Sequence, residues 1–146
     1  MLDQERIKEM IDLQRKVDRD QRQFQLNVWM NLHLSIGQLK TLFFISNCGT
    51  VSISKLAEAL GVRPANVTSL IDRMLERGLI TRTGDPNDRR VLLLRTTPKG
   101  DELVAELRQK RQERMAEVFN HLTDEEASIV VHGLRLMVKA IENEEH

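Results

Sequence analysis

Two adjacent arginines, Arg89 and Arg90, stand in the stretch GDPNDRRVLLLRTTPKG that runs from Gly84 to Gly100. On its own an exposed arginine pair is either solvated surface or a contact for an anionic partner, and the residues around it must decide. Asp-Pro-Asn-Asp just ahead fixes one φ through Pro86 and offers Asp and Asn side chains to the local backbone, which predicts a chain reversal at 85–88. The flanks, LITRT (79–83) and VLLLRTT (91–97), are β-compatible runs of strand length bounded by Gly78 and Pro98. The arginines therefore belong at or beside the tip of a two-stranded ribbon.

A second chemical pattern lies just upstream, in PANVTSLIDRMLERG (64–78). Pro64 suits a first helical turn and Gly78 a helix end. Val67, Leu70, Ile71, Met74 and Leu75 recur at helical spacing and take the core face, leaving Ala65, Asn66, Thr68, Ser69, Asp72, Arg73, Glu76 and Arg77 outside. The first two exposed turns are small and polar. A helix entering a DNA major groove needs small residues for close approach, Asn, Ser or Thr for base edges, and free N–H groups for phosphate. A merely solvated face would carry more Lys and Glu.

These patterns need a scaffold, and the rest of the chain reads as helices. Residues 3 to about 30 form one amphipathic helix with Met10, Val17 and Phe24 spaced by sevens and Ile7, Leu13 and Val28 beside them. Ser35 with Gln38 opens a second helix whose apolar stripe is Leu39, Leu42, Phe43 and Ile45. Ser52 or Ser54 caps a short third helix that turns Leu56, Ala57 and Leu60 inward and stops at Gly61. With the helix after Pro64 it makes a helix-turn-helix. Beyond the ribbon, residues 98–122 form a long helix with Leu103, Leu107, Met115, Val118 and Leu122 on one side. A last helix opens on the capping box Thr123 and Glu126 and turns Val130, Leu134, Met137 and Ile141 inward. The predicted fold is mainly α with a small two- to three-stranded β-wing. Long amphipathic helices at both ends would expose too much apolar surface in a monomer, which predicts a homodimer built from residues 1–34 and 98–146 around a winged helix-turn-helix at 35–97.

The chain has 146 residues, enough for one domain-sized unit, and three prolines and seven glycines leave its helix formers largely uninterrupted. Net charge is zero, but residues 54–97 hold eight basic against five acidic residues, and 98–146 hold seven against eleven. A basic centre beside an acidic end places a contact surface in the middle of the chain. No run approaches 18 apolar residues and MLDQERIKEM has no leader pattern, so a cytoplasmic chain with no membrane partner is expected. Cys48, the one cysteine, excludes an internal disulfide. His121 and His132 stand eleven residues apart. Within one helix that separation is ~16 Å, too far for one metal ion, and no metal or other cofactor is expected. No Ser-His-Asp set or phosphate loop appears, which speaks against an enzyme.

The order helix, helix, helix-turn-helix, charged hairpin, long helix, long helix is that of a winged-helix protein. Over essentially its whole length the chain resembles the MarR family of bacterial transcription regulators. The motifs that carry the resemblance are SISKLAEALGVRPANVTSLIDRMLERGLITR and GDPNDRRVLLLRTTPKG, the second with Asp88, Arg90, the apolar run 91–94, Thr97 and Gly100 in the family's order. The resemblance implies a repressor that binds double-stranded DNA as a homodimer. The hairpin becomes the wing, whose tip arginine enters a minor groove, where negative potential is concentrated. Arg90 matches by position and Arg89 is a second candidate, while Asp88 is expected to brace the loop by pairing with a nearby arginine. The DNA-facing positions carry over as Ala65, Asn66, Thr68 and Ser69 for bases and Arg73 for phosphate. Arg63 departs from the family's Ser, Thr or Asp cap before the proline: either water caps the helix or Arg63 reaches a phosphate.

Regulation by a small aromatic or phenolic effector is also implied, at the junction of the end helices with the DNA-reading part. Trp29, Met30, His33, Phe43 and Phe44 are candidate lining there, and plain packing of the junction explains the same residues equally well. Oxidant sensing through a tyrosine-held cysteine is not expected, since the chain has no tyrosine and Cys48 has no basic neighbour in sequence. The rival reading is a winged helix that docks on protein rather than DNA; that use would favour apolar residues on the helix after Pro64.

Overall fold

The computed structural model describes residues 2–144. Its helices are α1 (Gln4–Trp29), α2 (Ile36–Cys48), α3 (Ile53–Leu60), α4 (Pro64–Glu76), α5 (Pro98–Phe119) and α6 (Asp124–Glu144). The strands are β1 (Val51–Ser52), β2 (Ile80–Gly84) and β3 (Leu92–Thr96), and a short 3-10 turn (Met30–Leu32) follows α1. Residues up to Gln109 form one compact unit and those from Lys110 a second, the division falling within α5. The architecture is mainly helical with a small antiparallel sheet, as the sequence predicts.

In the first unit, side chains at helix starts do much of the local specification. Ser35 and Gln38 form the complete capping box of α2, each side chain bonding the other's backbone N–H at 3.1 and 2.9 Å. Ser52, not Ser54, caps α3 by accepting the N–H of Lys55. At the end of α4, Gly78 takes φ 68° while Leu79 N–H reaches back to Met74 O and Gly78 N–H to Leu75 O. This Schellman closure, open to glycine because of its positive φ, turns the chain directly into β2.

The sheet order is β1-β3-β2, with Val51 and Arg82 flanking Leu94 in register. β1 supplies a third strand of only two residues, too short to read from the sequence. Behind the sheet lies one core: Leu42, Ile45, Val51, Leu56, Ala57, Val67, Ile71, Met74, Leu79, Ile80, Leu94 and Val104, each at most 2% exposed. Each fully buried Leu or Ile here contributes roughly 1.5–3 kcal/mol. Thr41 is the one polar residue buried among the described residues, and its hydroxyl donates to Gly37 O at 2.7 Å.

The TTPKG corner joins β3 to α5. Thr97 N–H donates to Leu79 O, and the Thr97 hydroxyl donates to Gly78 O while accepting the N–H of Gly100. Lys99 Nζ completes the set on Arg77 O at 2.8 Å. Gly100 is buried against this corner, and a Cβ there would lie 2.0 Å from Leu79 O.

The apolar stripe of α1 remains half exposed at Met10, Leu13 and Val17 (48%, 53% and 49%). In the second unit, Thr123 and Glu126 form the expected capping box of α6. Leu134, Met137 and Ile141, read as inward-facing, are each at least 50% exposed in the single chain. Leu122 lies beyond α5, which ends at Phe119.

Gly100→Ala is expected to lower stability by more than about 2 kcal/mol, because the contact is with backbone that cannot step aside. Gly84→Ala, which meets nothing within 4 Å, should stay within about 0.5 kcal/mol of the parent. Thermal unfolding followed by circular dichroism compares the two.

Candidate nucleic-acid interface

The N-terminal half of α4 is exposed on its outer face. Ala65, Asn66, Thr68, Ser69 and Arg73 are all exposed, while Val67, Ile71 and Met74 anchor the opposite face. Pro64 occupies the first helical position, and Arg63 takes the N-cap in extended conformation with no side-chain capping bond. An arginine has no acceptor to offer a helix start, so the cap position is geometrically formed but chemically open. Arg63 is exposed.

The wing tip is held by its own residues. Asp85 N–H donates to Val91 O at 2.8 Å and Val91 N–H to Asp88 O at 2.9 Å, closing the loop between β2 and β3. Two side-chain turns stiffen it, Asn87 N–H to Asp85 Oδ1 at 2.8 Å and Arg90 N–H to Asp88 Oδ1 at 3.0 Å. Asp88 therefore braces the wing through the backbone N–H of Arg90, and not through the arginine side-chain pair that the resemblance implies. With its N–H engaged, Arg90 keeps a defined backbone and an exposed guanidinium.

α4 and the wing meet across a groove of about 330 Å³ lined by Pro64, Ala65, Thr68, Arg90, Val91 and Leu92, with the start of α3 (52–54) as its third wall. The groove separates the two arginines that the sequence left unranked: Arg90 lines it and Arg89 does not. Sequence reasoning missed Ser54 and Leu92 as wall residues. Ser54 reads from sequence only as a possible helix cap and Leu92 only as part of an apolar strand, and neither carries a charge that would single it out.

At the junction of α1 and α2, Trp29 and Phe43 stand with ring centroids 6.4 Å apart, and the Arg108 guanidinium lies 5.9 Å from the Phe43 centroid. Arg108 also donates to Asn47 Oδ1, and Phe44 packs against the core. Met30 is 76% exposed and His33 is exposed on a left-handed turn (φ 54°), so the five residues named from sequence do not share one environment. Arg77, placed outside from helical spacing, is half buried and donates Nη1–H to Leu32 O at 2.6 Å. Its long stem lets it fold back from the helix end to a neighbouring carbonyl. Cys48 is an exposed free thiol. Among the described residues no group of three His, Cys, Asp or Glu side chains could hold a metal ion, and no helix is long and apolar enough to cross a membrane.

A helix-turn-helix whose second helix is presented beside an arginine-tipped β-ribbon defines a winged helix. A family model described as the MarR family matches residues 34–92. YfiV of Bacillus subtilis (strain 168), an HTH-type transcriptional regulator, is 31% identical over 115 residues, covering 79% of this chain and 72% of its own. The HTH-type transcriptional repressor MdtR of the same organism is 34% identical over 108 residues, covering 74% and 70%. Of solved structures, the transcriptional regulator Tm0710 from Thermotoga maritima matches with a TM-score of 0.85 at 25% identity, covering 94% and 96% of the two chains. The chain belongs to the MarR family of winged-helix transcriptional regulators.

Asp88→Ala is expected to speed hydrogen exchange of the Arg90 amide by about fivefold, with Asp88→Asn close to the parent because it keeps an acceptor oxygen. Residue-resolved exchange by NMR reads the difference.

Proposed function

We propose that the protein is a repressor that binds a pseudo-palindromic operator in double-stranded DNA as a homodimer and works in the cytoplasm. The observation that carries this reading is the groove that sets Ala65 and Thr68 of α4 beside Arg90 of the wing. In this assignment Ala65, Asn66, Thr68 and Ser69 face base edges in a major groove, and Arg90 enters the adjacent minor groove. Arg63 and Arg73 take phosphates, which position the protein without reading sequence. Residues 35–97 read the DNA and 1–34 with 98–146 join the two copies. The half-exposed apolar stripes of α1 and α6 support that division, including the strip of Val131, Leu134 and Val138 bordered by Arg135, Lys139 and Glu142. Two-fold symmetry then calls for half-sites about one helical turn apart, roughly 10 base pairs.

A small aromatic or phenolic effector is the fitting regulator. The Trp29–Phe43 pair with Arg108 over one ring offers stacking and a cation at the junction between α1 and α2. Docking on protein through the winged helix is the weaker reading, because the exposed start of α4 is small and polar where a protein contact favours apolar anchors.

Selection from a random duplex pool should recover an inverted repeat with half-sites one turn apart. On the recovered duplex, log K should fall against log salt with a slope of about −4 or steeper, from two or three arginines per protomer. Arg90→Ala should weaken binding by about tenfold or more across sequences and Arg89→Ala by less than about threefold, measured by fluorescence anisotropy. Failure to enrich any sequence with folded dimer, or a flat salt response, would refute DNA reading.

A further inference from the structure

The last carbonyls of a helix have no partner within it and carry the negative end of its dipole. α1 continues through the 3-10 turn to Leu32, where His33 in the left-handed region stops it. No basic residue stands in the last turn of α1. The Leu32 carbonyl nevertheless has a cationic partner: Arg77, 45 residues away in sequence, donates Nη1–H to it at 2.6 Å. Arg77 is itself the C-cap of α4, and its own carbonyl accepts a bond from Lys99 Nζ in the first turn of α5. Two cations thus cap two helix ends in relay. Lys99 caps α4, and Arg77 caps the rod made of α1 and its 3-10 turn.

We propose that Arg77 is a positioning residue that sets the spacing between the two DNA-reading helices of the dimer, with Lys99 as its counterpart on α5. The proposal rests on the dimeric DNA-binding reading above. The start of α4 is the end offered to DNA, and the other end is bonded to both helices that flank the winged part. α4 has thirteen residues, a length of ~20 Å. A tilt of about 10° pivoting at Arg77 would move its reading end by about 3 Å, close to the rise of one base pair. Arg77 is half buried, and a guanidinium bonded to a carbonyl in that setting is charge-assisted and less screened than a surface ion pair.

The test uses the full-length dimer and the inverted-repeat duplex recovered by selection, alongside duplexes with one central base pair added or removed. Parent protein should lose affinity by about tenfold or more on the altered duplexes, since each change rotates one half-site by about 36°. Arg77→Gln should bring the three affinities to within about threefold of one another, and Arg77→Lys, which keeps the cation, should restore part of the discrimination. Circular dichroism and sedimentation establish that each variant is folded and dimeric. If Arg77→Gln does not fold, Lys99→Met, which leaves the guanidinium in place, should narrow the same ratio. Full spacing discrimination in a folded variant lacking either link overturns the proposal alone. Absence of any spacing preference in the parent overturns the dimeric reading and this proposal with it.

Discussion

Three successive carbonyls at the end of α4, those of Arg77, Gly78 and Leu79, have no place in a helix or a strand, and the winged unit depends on how they are satisfied. All are met by one short segment: Lys99 Nζ, the Thr97 hydroxyl and the Thr97 N–H in turn. Thr97 works twice, since its oxygen also caps the start of α5 through Gly100 N–H. Gly100 then presses on Leu79 O where a Cβ would lie. The end of α4, the return of β3 and the first turn of α5 are therefore fixed by a single cluster of bonds, each with a defined donor. The Leu79 carbonyl is buried and that of Arg77 belongs to a half-buried residue, so removing their donors would carry a desolvation cost.

Periodicity and caps made most of the fold legible. Ser35 with Gln38, Thr123 with Glu126, Pro64 and Gly78 mark element ends that the structure reproduces, because capping is a local matter of one side chain and a few N–H groups. What stayed hidden depended on contacts between distant segments. Arg77 looked like a surface charge at helical spacing, and only the approach of the 3-10 turn makes it the partner of Leu32. Thr97 and Gly100 were visible as motif letters without a physical role. Asp88 was read as a partner for an arginine side chain, whereas the nearest donor in a tight turn is the backbone N–H two residues on.

The interface divides along similar lines. The exposed face of α4 follows from spacing alone, while which of Arg89 and Arg90 lines the groove depends on which way the ribbon leans on the helix start. The Trp29 group shows the limit of composition. Trp29 and Phe43 do meet, yet Met30 and His33 belong to a turn whose direction is set by a left-handed residue that no apolar pattern announces.

Val104 of α5 lies in the same core as Val67, Ile71 and Leu94 and is only 1% exposed. The core that carries α4 is thus completed by a residue from the helix that leaves it. A segment ending at residue 97 would keep the exposed face of α4 without the plug that seals its core, and would also discard Lys99 and Gly100. Residues 35–97 alone therefore lack part of their own core. Substitution on the exposed face of α4 leaves this shared core untouched, whereas a cut at residue 97 opens it.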